Sequence, residues 1–138
     1  MKKYLFVLLV AAVAALGAAV DANAATGRGQ RVTVQIKRES KAAGGLRIRF
    51  LELIEDSRCP VDTQCVWAGN AKIRIQVRGR RGAGVKIFEI NSATVPTSVV
   101  YDGYEIRFVD LTPHPRSNIR IDPNGYRAVF EVVRRGDR

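Results

Sequence analysis

Cys59 and Cys65 are the only thiols in the chain, and the residues best suited to chemistry cluster around them. The stretch Asp56-Ser-Arg-Cys-Pro-Val-Asp-Thr-Gln-Cys-Val-Trp-Ala-Gly-Asn70 also holds the sole tryptophan, Trp67, and a polar set of Asp56, Arg58, Asp62, Gln64 and Asn70. Redox pairs usually have two residues between their cysteines at a helix start, and here five intervene without helical context. The two thiols are therefore expected to form a structural disulfide. Loop-closure entropy makes so small a ring worth about 2 kcal/mol, so it shapes the loop more than it stabilises a domain. Pro60 fixes φ inside the ring, so the loop would lose little entropy on meeting a partner, with Trp67 as its aromatic anchor. A structural alternative is equally concrete: Trp67 packs over the disulfide into the core, Asp56 caps the loop or pairs with Arg58, and Gly69 permits the turn. A lone tryptophan beside a disulfide is often core, which weights that alternative.

Arginine supplies a second candidate. Arg47, Arg49, Lys72, Arg74, Arg78 and Arg107 occupy the polar parity of alternating segments, so several of them are expected to share one exposed sheet face. Such a face attracts phosphate or sulfate groups on a polyanion, although a merely solvated face has the same composition. Nucleic acid is disfavoured, because these segments lack the interleaved aromatics of a base-stacking platform.

Catalysis finds little support. The chain has no Gly-x-Ser-x-Gly, no His-Glu-x-x-His, no phosphate-binding loop and no second cysteine pair for a metal. His114, the one histidine, lies between Pro113 and Pro115, which suits an exposed loop better than a preorganised base. No enzyme activity, cofactor or metal is expected from this set.

The elements that must position these residues read as strands. Period-2 alternation marks Val32 to Ile36, Leu46 to Phe50, Ile73 to Val77, Tyr104 to Phe108 and Ala128 to Val132. Val85, Ile87, Phe88 and Ile90 mark another strand, and Val99 to Tyr101 a short one before the Asp102-Gly103 turn. Gly-rich segments at 42–45 and 79–84, with Asp122-Pro-Asn-Gly125, punctuate them. Six or seven such strands predict an antiparallel Ig-like β-sandwich, with a small β-barrel as the alternative. At Phe50-Leu51 and at Phe108-Val109 the apolar parity shifts by one, which predicts a β-bulge or a strand end buried on both faces. Tyr126, four residues after Asp122, stands where such sandwiches place a tyrosine corner, although Ala128 replaces the intersheet cysteine.

The termini and composition set the compartment. Lys2 and Lys3, an apolar run from Leu5 to Val20 and Ala22-Asn23-Ala24 match a secretory signal peptide cleaved after Ala24. Residues 25–30 then read as a flexible leader and 31–138 as a single domain. The whole chain carries a formal net charge of +10, with arginine far outnumbering lysine in its mature part. No stable membrane anchor is expected, and the destination is the periplasm or the cell exterior.

The segment Asp56-Ser-Arg-Cys-Pro-x-Asp-x-x-Cys-Val-Trp-Ala-Gly-Asn-Ala71 resembles a family of small exported bacterial proteins with a signal peptide and one β-rich domain. Tyr104-Glu-Ile-Arg-Phe-Val-Asp-Leu-Thr-Pro-His-Pro115 and Asp122-Pro-Asn-Gly-Tyr-Arg-Ala-Val-Phe130 are similar to that family's second half. The resemblance implies export and a single β domain and brings no mechanism. Taken together, the residues predict a non-catalytic binding protein. Its partner would be an envelope protein or a polyanionic glycan, held by the disulfide loop and the adjacent face bearing Arg47, Arg49, Arg74 and Arg107. The competing readings are a small secreted enzyme inhibitor, whose loop would have to protrude, and a structural envelope protein without a ligand site. The oligomeric state is not specified by any of these features.

Overall fold

A computed structural model of the chain describes residues 29–136. The expected signal peptide and all but the last two residues of the expected leader lie outside that range. Eight strands occur in it: β1 (Gln30–Gln35), β2 (Glu39–Lys41), β3 (Arg47–Asp56), β4 (Ala71–Arg78), β5 (Val85–Asn91), β6 (Ser98–Tyr101), β7 (Tyr104–Thr112) and β8 (Arg127–Arg134). They form two antiparallel four-stranded sheets, in the orders β1-β8-β7-β6 and β2-β3-β4-β5. The result is the expected sandwich, not closed into a barrel. Each sheet is built largely from a meander, and β1 alone joins a strand distant in sequence. Gln30, assigned to the leader by composition, already pairs with Val132.

Alternation explains why the layers pack. On β4, Ala71, Ile73, Ile75 and Val77 are fully buried while the intervening residues are not. Facing them from the other sheet are Val34, Ile106, Phe130 and Val132, with Phe108 and Phe130 at 5.8 Å between ring centroids. Each fully buried Ile or Phe contributes roughly 1.5–3 kcal/mol relative to exposure, so this interleaved layer is the main driving force of the fold. On β5 Ile90 and Asn91 are buried and Phe88 is half-buried; Ile90 and Phe88 pair with Ile73 and Ile75, whereas Val85 and Ile87 face solvent.

Both parity shifts are β-bulges. Pairing slips between Phe50 and Glu52 on β3 and between Phe108 and Asp110 on β7. The extra residue returns Leu53 and Leu111 to the inner side. A second slip on β3, between Leu53 and Glu55, restores the original phase. It leaves Asp56 opposite buried Ala71, turned toward the inner layer at the end of the strand. That orientation founds the site below.

Candidate functional site

Strands β3 and β4 do not stop cleanly at the 57–70 loop. Ser57 N–H donates to the Asn70 carbonyl at 2.7 Å and Cys59 N–H to the Ala68 carbonyl at 2.9 Å, so the ladder runs into the loop. Gly69 has a φ of 72°, and a Cβ there would collide with the Ser57 carbonyl, so the return leg requires glycine. The Cys59–Cys65 disulfide then closes the tip, with Cα atoms 5.9 Å apart. Inside the ring Thr63 N–H donates to the Pro60 carbonyl at 3.1 Å, a turn rather than an extended segment.

The polar residues of the loop hold the fold together. Arg58 makes a two-pronged pair with Asp56, Nε to Oδ1 and Nη2 to Oδ2 each at 2.7 Å. Its remaining donors reach the Leu111 carbonyl and, at 3.1 Å, the Pro113 carbonyl. Both side chains are nearly buried, at 11% and 12% exposure. Burial works against the charged Asp56, but the Arg58 guanidinium outweighs it and holds the carboxyl below its ordinary value. Tyr126 donates its hydroxyl to the same carboxylate at 3.4 Å, and burial, then Asp56, pushes its pKa up. It is therefore not a tyrosine corner: its hydroxyl meets a carboxylate 70 residues upstream instead of nearby backbone.

Asp62 accepts from Ser117 N–H at 2.9 Å and from the Ser117 hydroxyl at 2.7 Å, and these bonds lower its carboxyl pKa. Val61 N–H donates to the Pro115 carbonyl at 2.9 Å, so the ring is clamped sideways to the β7–β8 connection. Asn70 donates to the Asn91 side chain at 3.0 Å and accepts from Ala93 N–H at 3.1 Å, joining the loop to the chain after β5. Asp56, Arg58, Asp62 and Asn70, all candidate contact residues by sequence, thus bind other parts of this protein. Gln64 is exposed at the tip.

Trp67 reverses the packing expectation. It is 82% exposed and lies away from the core, and neighbouring Val66 is fully exposed. Trp67 borders a groove of about 460 Å³ whose other walls are Glu55, Ser57, Gly69, Asn70 and Thr94. Val61 is also exposed, as are Val95 after β5 and Ile119 between β7 and β8. The strand pairing puts all three loops at one end of the sandwich. That end is apolar, aromatic and cross-braced. Ser117, Pro115 and Val66 were not singled out by sequence, since only the fold brings the 113–117 segment against the ring.

The arginines do not form a single face. Arg47, Arg49 and Arg74 lie on the outer side of the β2-β3-β4-β5 sheet, but Arg107 lies on the outer side of the other sheet. The shared-face expectation is corrected for Arg107: strand parity reports which side of a sheet a residue takes, not which sheet it is in. Arg74 is bonded between Glu52 and, at 2.7 Å, Glu89, and Lys72 reaches Glu89 at 2.7 Å. Lys72 and Arg74 together pull the Glu89 carboxyl down to about 2. Arg107 meets Glu105 at 3.2 Å and Glu131 at 3.5 Å. All are solvated; Arg107–Glu105 lies within β7, and the others run across strands.

His114 sits 3.4 Å from Asp110, with both side chains open to solvent. Searched against protein-family models, curated proteins and solved structures, the chain matches none of them.

Proposed function

We propose that this chain is an exported, non-catalytic binding protein that docks a protein of the cell envelope at the disulfide-loop end, with Trp67 as the anchor. The single observation that carries the reading is a tryptophan 82% exposed on a loop whose backbone is held by a disulfide and by bonds to two other loops. Exposed tryptophan costs solubility and contributes nothing to this core, whereas at an interface it is among the residues that contribute most. Cross-bracing means that little backbone entropy is lost on association. Fully exposed Val66 and the groove beside Trp67 give a partner side chain an apolar seat. Export rests on the N-terminal sequence pattern and agrees with a disulfide that an oxidising compartment preserves.

A protruding inhibitor loop fits less well. The ring is folded into a turn and tied to Pro115 and Ser117, so its backbone is not free to lie extended in a cleft.

Trp67→Ala separates docking from folding, because the side chain touches little of its own protein. Immobilised mature protein is expected to retain a defined envelope protein saturably. The variant should lose that retention with its melting temperature unchanged. Equal retention by wild type and variant would refute the docking role.

A further inference from the structure

The outer side of the β2-β3-β4-β5 sheet alternates cation and carboxylate in one half and carries four cations against one carboxylate in the other. Toward the disulfide loop, Lys72 and Arg74 alternate with Glu52 and Glu89. Toward the opposite end, Lys41 lies directly across from Arg47, and Arg47 directly across from Arg78. Cross-strand partners share a face, so three adjacent strands present a straight cationic row, spanning roughly 10 Å at the usual strand spacing. Arg49 stands one step along β3 on the same face. Glu39, directly across from Arg49 and 3.2 Å from Arg47, is the one carboxylate that reaches this group; among the described residues Lys41, Arg49 and Arg78 form no ion pair.

Like charges directly opposite each other destabilise a sheet. Elsewhere on these outer faces Arg74 and Arg107 each bond two carboxylates, whereas Lys41, Arg47 and Arg78 have only Glu39 among them. We infer that Lys41, Arg47 and Arg78, supported by Arg49, form a binding site for an acidic polysaccharide, whose sulfate, phosphate or carboxylate groups lie along the row. This refines the polyanion side of the sequence reading and is separate from the Trp67 end.

Three features select that ligand class. Two of the three row residues are arginines, whose planar forks take oxyanions in pairs of hydrogen bonds. The row is linear, open and solvated, so it suits charges strung along a chain better than one enclosed ion. No aromatic side chain shares this part of the face; Gln76, Val85 and Ile87 are its neighbours, which leaves no platform for stacked bases. An anion on the row also removes the repulsion that the free protein tolerates, so binding must raise stability.

The test uses mature, disulfide-intact protein with heparin as the probe polymer, alginate as a carboxylated polymer, inorganic phosphate alone, and oligothymidylate. Heparin is expected to bind and raise the melting temperature. The variant Lys41→Gln/Arg47→Gln/Arg78→Gln should lose roughly tenfold or more in affinity, with a salt dependence shallower by about 2 in slope. Without ligand it should melt no lower than wild type. A control of equal charge change, Arg31→Gln/Arg120→Gln/Arg127→Gln, should keep most of the affinity. Arg78→Glu is the second row variant: it offers Arg47 a cross-strand carboxylate, so it should fold at least as well as wild type and still lose heparin. The site is overturned if heparin affinity survives the row variants, or if the control loses as much. Oligothymidylate binding the row as tightly as heparin would overturn the glycan assignment, as would inorganic phosphate alone matching the polymers. Alginate binding through the row supports the shared oxyanion chemistry. Trp67→Ala should leave heparin binding intact, which keeps this result independent of the docking reading.

Discussion

The two ends of the sandwich solve the same problem, joining strands, with opposite materials. At one end the 57–70 connection, closed on itself by the disulfide, bonds to the 113–126 connection through Arg58–Pro113, Val61–Pro115 and Asp62–Ser117, and to the 92–97 connection through Asn70–Ala93. At the other end the 42–46, 79–84 and 102–103 connections are short and glycine-rich, with positive φ at Gly44, Gly45, Gly82, Gly84 and Gly103. Arg80, exposed, forms an ion pair there with Asp102 at 3.2 Å. The first end fixes its backbone through contacts between segments far apart in sequence and displays apolar side chains. The second fixes its backbone mainly through glycine conformation, with Arg80 N–H to Asp102 at 2.8 Å and the Tyr101 hydroxyl to the Ala83 carbonyl as its cross-loop bonds, and displays cations. Apolar exposure of this kind is tolerable where the backbone beneath cannot rearrange to bury or aggregate it.

Breaking the long-range bracing should therefore cost most. Arg58→Ala strands a nearly buried carboxylate and frees the Leu111 and Pro113 carbonyls, so a loss of about 3–5 kcal/mol is expected in urea unfolding. The same bond has a pH signature. Because the folded Asp56 carboxyl lies below its ordinary value of 3.8, its contribution is complete above that value and fades as pH falls through the lower folded pKa. Asp56→Asn should flatten that part of the stability–pH curve; an unchanged acid limb would show that the pair is not coupled to folding.

Next in size is the ring. Cys59→Ser with Cys65→Ser should lower stability by about 2 kcal/mol while leaving the sheets intact by circular dichroism. Loss of the whole fold would mean that the ring, and not the packed sheets, holds the domain. The smallest effect belongs to the glycine-rich end. Gly82, at φ 84° with open space around it, should lose about 1 kcal/mol on substitution by alanine, a purely conformational cost. If Gly82→Ala cost as much as Arg58→Ala, the contrast between the ends would fail.

Much of the scaffold was legible. Alternation at Ile73-Arg74-Ile75-Gln76-Val77 can bury only one side of a strand, and the parity shifts at Leu51 and Val109 could be accommodated only by a bulge or by double burial. Glu39–Lys41 was not legible, because three residues are too few to show a period. The inward face of β5 was also hidden: Val85, Ile87, Phe88 and Ile90 are apolar on both parities, and only the register with β4 selects Phe88 and Ile90.

By itself the sequence determined the disulfide pairing, the all-β class and the place of the loop between β3 and β4, because these follow from local period, turn chemistry and the presence of just two cysteines. The tertiary structure alone decided that Arg58 turns inward while Trp67 turns outward, that Arg107 belongs to the other sheet, and that Lys41, Arg47 and Arg78 line up. Each of those depends on strand order and register, and neighbours set by distant segments leave no trace in the spacing of nearby residues.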